Sequence, residues 1–295
     1  MSAQAWIPQV LVIALALVMF GLGLSLSLAD FRRVLGHPKA VAIALGLQVA
    51  LLPAACYLLI VALSVPPLYA VGLMLLAASP GGVSANLFSH LFGGNVAMNI
   101  SLTAINTVVS IVTLPLIGTW AIATFAGSGQ VVPLQFGKVM EVIGVIMVPV
   151  AIGMAVRSRA PGFAGRSEKG MKIFSGLVLA AFALIAIVKE WDALRTSFMQ
   201  IGPAVLAFNL ISLLSGYYVS RMAGLDKPLS TAISYEIGIH NSTLAMFIAL
   251  SVLGDFQLAL PAALYSVSMY ITATLFGMLV LRAPASASAR PRSAG

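Results

Sequence analysis

The chain has little charge, few acids and a single cysteine. Of its 295 residues only 8% are charged, and Asp and Glu together number 8. A soluble domain carries about 25% charged residues, so a soluble globular fold is excluded. Cys56 stands alone, which excludes an internal disulfide; it lies in an apolar run, where packing is its expected role. No stretch interleaves basic with aromatic residues, so the net charge of +8 carries no nucleic-acid signal. No basic residue precedes the first apolar run, which ends at Asp30-Phe31-Arg32-Arg33. A cleaved signal peptide carries its charge first. Ile7 to Leu28 is therefore expected to be a retained first helix with its N-terminus outside.

What is there is apolar: 60% hydrophobic residues and a mean hydropathy of +1.05. Repeated apolar runs of roughly 20 residues read as membrane helices, because lipid forces backbone groups to bond within their own segment. The expected architecture is an all-α polytopic membrane protein with nine crossings, at about 6–28, 39–63, 68–93, 95–124, 134–157, 171–189, 200–222, 228–253 and 257–282. With the first loop cytoplasmic, only Lys138, Lys189 and Arg195 of the 16 Lys and Arg fall outside. That bias supports nine helices with N outside and C inside. Glu141, one turn from Lys138, reads as half of a local ion pair. The stretch 283–295, rich in Ala, Ser, Pro and Arg, is expected to be a disordered basic tail.

Two segments are abnormal. The third contains Ser79-Pro80-Gly81-Gly82-Val83-Ser84-Ala85-Asn86. Pro80 lacks an N–H and the glycines tolerate unusual dihedrals, so a continuous helix breaks there. The eighth contains Tyr235-Glu236-Ile237-Gly238-Ile239-His240-Asn241-Ser242, an acid at membrane depth beside a glycine. An ionised carboxylate in a bilayer is costly unless something pairs with it, which makes Glu236 a functional candidate. Four crossings separate the two segments, an even number, so they should run in opposite senses. Paired broken helices of that kind point to a transporter's binding site; the alternative is a kink filled by small and polar residues for packing.

The fourth segment carries Asn99, Thr103, Asn106, Ser110 and Thr113 at steps of three and four, on one helical face. Ser110 and Thr113 read as an interhelical hydrogen-bond seam, while Asn99 and Thr103 lie nearer the first break and suit its cavity. Gln48, the lone amide between Ala40 and Ala62, reads either as a helix-packing bond or as a site residue.

Pro80-Gly81-Gly82 with Asn86, Gly94-Asn95-Val96-Ala97, and Glu236-x-Gly238-x-x-Asn241-Ser242 together resemble the bile acid:sodium symporter family, from about Met19 to Gly277. The resemblance implies an inverted-repeat transporter with two discontinuous crossing helices. A core, about 39–124 and 200–282, would move against a panel, about 6–28 and 134–189. It implies one sodium site at Asn86, Asn99, Thr103 and Glu236. A second would use Gln48, Glu236, His240 and the carbonyls of Ile237 and Ile239. The chain departs from the family pattern at Ala85 and Asn99, where serines are usual, and at His240, where glutamine is usual. Sodium prefers oxygen ligands and imidazole suits softer metals, so His240 is expected either to donate a hydrogen bond to Glu236 or the substrate, or to make the coupling altered or partly protonic. No Cys/His spacing supports zinc.

The function expected from these features is sodium-coupled symport of an organic anion, a small carboxylate or a bile-acid-like molecule, by alternating access. N–H groups opening the second half-helices, with Val83, Ser84, Asn241, Ser242 and Tyr270, would hold the anion. Sodium is the coupling ion, no cofactor is expected, and the setting is a lipid bilayer, by its bacterial-looking sequence an inner membrane. A proton-coupled transporter or cation/proton antiporter is the rival, and a receptor or scaffold using the polar stripes for packing is the alternative of another class. An enzyme is excluded, because no Ser/His or Asp/Asp pair has a catalytic spacing.

Overall fold

The computed structural model describes residues 7–127, 136–167, 170 and 191–281. Among them every long element is a helix: α1 (Ile7–Ser25), α2 (Leu28–Leu35), α3 (Pro38–Ala62), α4 (Pro67–Ala78), α5 (Val83–Leu91), α6 (Val96–Ala126), α7 (Phe136–Arg159), α8 (Trp191–Met222), α9 (Lys227–Gly238), α10 (Ser242–Val252) and α11 (Gln257–Leu281). The expected crossing 171–189, the tail 283–295 and the side chains of Lys138 and Glu141 lie outside this description.

Among the described residues four helices are long and apolar enough to cross a membrane: α3, α6, the Phe198–Met222 part of α8, and α11. The first expected crossing differs. Its helix ends at Ser25 and bends by 67° into α2. Asp30 causes this: its carboxylate accepts from the N–H of Ser27 at 2.8 Å and its hydroxyl at 2.6 Å, capping a new amphipathic helix. Arg33 closes the corner, pairing with Asp30 at 2.6 Å and donating to the carbonyl of Ala97 at 3.2 Å. Helix α1 packs chiefly on α7. Gly23 and Gly153 meet where the two helices touch, and a Cβ on either would strike backbone of the other helix.

The third and eighth segments are each two helices, α4 with α5 and α9 with α10. They meet at their breaks. The N–H of Gly82 donates to the carbonyl of Ile239 at 2.6 Å, and the N–H of Asn241 donates to that of Pro80 at 2.8 Å. This antiparallel bridge between Gly81 and His240 satisfies backbone groups that each broken helix frees, which a lipid interior makes obligatory. The rest of the bundle encloses it: α3 and α8 against α4 and α9, with α6 and α11 alongside.

Candidate functional site

The break in the first pair begins at Ser79, whose extended backbone (φ −72°, ψ 145°) ends α4 before Pro80. Gly82 is also extended (φ −84°, ψ 157°), and Gly81 has no positive φ. The two glycines are therefore not needed for unusual dihedrals, as the sequence suggested. They are needed for space. A Cβ on Gly81 would enter the carboxylate of Glu236, and one on Gly82 would crowd the carbonyls of Ile239 and His240 at 3.3 and 3.2 Å.

Glu236 is fully buried near the end of α9. Its carboxylate accepts from the hydroxyl of Thr103 at 2.5 Å and from the amide of Asn106 at 3.0 Å. Among the described residues it makes no salt bridge. Asn106 stood on the polar stripe but was not among the residues expected at the site. Its spacing from Thr103 carried the signal, because positions three apart share a helical face.

Four buried side-chain amides leave their oxygens without donors. Asn99 donates to the carbonyl of Ala232 at 2.7 Å, yet its Oδ1 has no partner. The Oδ1 atoms of Asn86 and Asn106 are likewise buried and without partners. Gln48 sits on a π-helical turn, Leu47–Leu51, a distortion frequent at functional sites. Its amide donates to the carbonyls of Ala77 at 3.1 Å and Ser79 at 3.0 Å, leaving Oε1 buried and unpartnered. Buried acceptors are normally paired, and an unpaired one costs about 1–3 kcal/mol. Four orphaned amide oxygens, one of them on the Asn106 that holds this carboxylate, suit a hard monovalent cation, which takes oxygen ligands.

His240 is held otherwise. Its Nδ1 lies 3.1 Å from the carbonyl of Ser79; a carbonyl only accepts, so Nδ1 carries the proton and Nε2, which has no partner, presents a lone pair when the ring is neutral. The ring stacks on Phe208 at 5.5 Å and meets the edge of Tyr265 at 5.5 Å. Ile239 gives its carbonyl to Gly82, and Ile237 has lost its helical donor because the N–H of Asn241 goes to Pro80. Gly238's carbonyl is also freed, but Tyr265 and Asn209, both at 2.8 Å, satisfy it. The hydroxyl of Thr272 donates in turn to Asn209. This support from α8 and α11 had no sequence signal, since its members lie on three helices.

The residues expected to hold an anion are brought together in part. Ser84 and Tyr270 pair through their hydroxyls at 3.0 Å, and Tyr270 stacks on Phe88 at 5.9 Å. Val83 and Ser84 open α5, half-buried, where first-turn N–H groups lack helical partners. At the other break the N–H groups are committed: Asn241 to Pro80 and Ser242 to His240 at 2.9 Å. The Asn241 side chain caps α10 by accepting from Leu244 at 3.1 Å. At the start of α5 the N–H of Ala85 is likewise taken, by the carbonyl of Gly82 at 2.9 Å.

The family model described as Sodium Bile acid symporter family matches residues 12–197. Curated relatives extend the likeness to 89% of the chain, too much to omit the second break. They include a rice protein described as probable sodium/metabolite cotransporter BASS1, chloroplastic, 28% identical over 264 residues, and the chain spans 64% of that relative's length. An uncharacterized sodium-dependent transporter of Bacillus subtilis, YocS, is 27% identical over 90% of this chain and 81% of its own. The human ileal sodium/bile acid cotransporter is 25% identical over 80% of this chain and 67% of its own. With a family model that matches well over half of its length, the chain belongs to the sodium bile acid symporter family.

Proposed function

We propose that this protein is a sodium-coupled symporter of an organic anion, working by alternating access in a membrane it crosses nine times, N-terminus outside. One observation carries the reading. A fully buried carboxylate without a cationic partner among the described residues, Glu236, lies against the bridge between two interrupted helices and is held by Asn106, whose amide oxygen has no donor. Sodium there would neutralise the acid and be held by Thr103, Asn86 and Asn99, with Gln48 and the carbonyls of Ile237 and Ile239 on the other side of the acid. The relatives' names, sodium/metabolite and sodium/bile acid cotransporter, support sodium and an organic substrate for this chain.

The mechanism follows from the bridge. Sodium bound at both halves of the crossover ties α4–α5 to α9–α10 and orders the start of α5, whose N–H groups then hold the anion's carboxylate with Ser84 and Tyr270. The core then rocks against α1 and α7 as the panel, exposing the loaded site to either side in turn. Uptake of labelled carboxylates and bile acids into proteoliposomes, with and without an inward sodium gradient, tests the reading. Accumulation that requires the gradient supports it. A substrate taken up equally without sodium contradicts it.

A further inference from the structure

Most serine and threonine hydroxyls on these helices are quiet. Ser101, Thr107, Ser110 and Ser212 each donate to a carbonyl three or four residues back, the usual refuge of a hydroxyl in a membrane helix. Ser89 on α5 and Thr231 on α9 do not. Both are fully buried and neither hydroxyl has any partner. Among the described residues the other partnerless hydroxyls, those of Ser220 and the half-buried Ser251, lie on α8 and α10.

Ser89 and Thr231 both border the turn that joins α5 to α6. A Cβ on Gly94 would strike the hydroxyl of Ser89 and come within 3.1 Å of the Thr231 methyl. One helical turn along α5 from Ser89 is Asn86, and beside Thr231 is the carbonyl of Ala232, which holds the amide of Asn99. The oxygens of both amides are orphaned. Beyond Asn99, one turn further on α6, Thr103 reaches Glu236. A series of partnerless oxygens thus lies on α5 (Ser89, Asn86), α6 (Asn99) and α9 (Thr231), the helices that lead from the Gly94 turn toward the buried acid. Its outer end is capped where the N–H of Asn95 donates to Pro228 at 2.9 Å. Arg33, which reaches Ala97 at this end, and Lys227, next to Pro228, mark it as the face with excess positive charge, the cytoplasmic one by the positive-inside rule.

We infer that Ser89 and Thr231 form a way station for the coupling cation, through which sodium leaves the Glu236 chamber toward the Gly94 turn. This rests on the sodium reading above. Hydroxyl and amide oxygens at steps of one helical turn, about 5 Å apart, replace successive parts of a sodium ion's hydration shell. A buried row of such acceptors without donors has no comparable use in packing, where a back-bonded hydroxyl or an alanine is more stable.

The test uses the full chain in proteoliposomes with 22-sodium as the probe, measuring equilibrium binding and the rate of exchange. A Ser89→Ala/Thr231→Val double variant is expected to exchange sodium about tenfold more slowly while binding it with nearly unchanged affinity. Thr231→Ser, which keeps the hydroxyl, should exchange as the parent does. If the double variant does not fold, Ser89→Ala and Thr231→Val singly are each expected to slow exchange severalfold. Parent-like exchange in the Ala and Val variants overturns the inference and leaves the sodium reading standing, as does Thr231→Ser slowed as much as Thr231→Val, which marks packing. Absence of saturable sodium binding to the parent overturns both.

Discussion

The side chains of Gln48, on α3, and His240, in the break between α9 and α10, both hydrogen-bond the carbonyl of Ser79, at 3.0 and 3.1 Å. That carbonyl ends α4 one residue before Pro80. The arrangement fixes the last turn of the first half-helix from two directions, and leaves Gln48 Oε1 and His240 Nε2 as buried acceptors without donors. Gln48→Leu removes a side-chain donor to each of the Ala77 and Ser79 carbonyls. It is expected to destabilise the protein by about 1–3 kcal/mol, read as a lowered thermal midpoint, and to weaken sodium binding beyond what the stability loss explains.

His240 offers nitrogen where its neighbours offer oxygen. His240→Gln keeps a donor for Ser79 and adds an amide oxygen, so sodium affinity should rise severalfold. Equilibrium sodium binding on the two proteins checks this; equal affinity would show that the imidazole faces no ion.

Gly81 is defined by the absence of a Cβ beside the carboxylate. Gly81→Ala is expected to cost about 1–3 kcal/mol as overpacking and to abolish sodium binding, because the acid must move. Gly46→Ala, at a helical position with nothing near a Cβ, serves as control and should be neutral or stabilising by up to about 1 kcal/mol. Both are read by thermal unfolding with and without sodium.

Asn106 fixes one oxygen of Glu236. Asn106→Ala leaves that oxygen without its amide and should lower sodium affinity about tenfold, a difference of about 1.4 kcal/mol, with the fold retained because Thr103 still holds the other oxygen.

The interrupted helices were legible in the sequence because their cause is local: Pro80 cannot donate, and an acid beside Gly238 has no place in an uninterrupted lipid-facing helix. The face of α6 was legible too, since Asn99, Thr103 and Asn106 repeat with the helical period. Other features were not. The corner between α1 and α2 hides in an apolar run, and only the contacts of Asp30 with Ser27 and Arg33 set it. The π turn under Gln48 has no composition of its own. The hold of Asn209 and Tyr265 on Gly238 joins positions 27 to 56 residues apart, a pairing that no period reveals. The role of Gly81 is a matter of space against Glu236, 155 positions away, which backbone propensity does not express.

Saturable binding of 22-sodium to the purified protein, compared with Glu236→Ala, tests the central claim most directly. The account predicts saturable binding to the parent and none to Glu236→Ala, with the variant still folded by its thermal transition. A folded Glu236→Ala that saturates with the parent's affinity would contradict it.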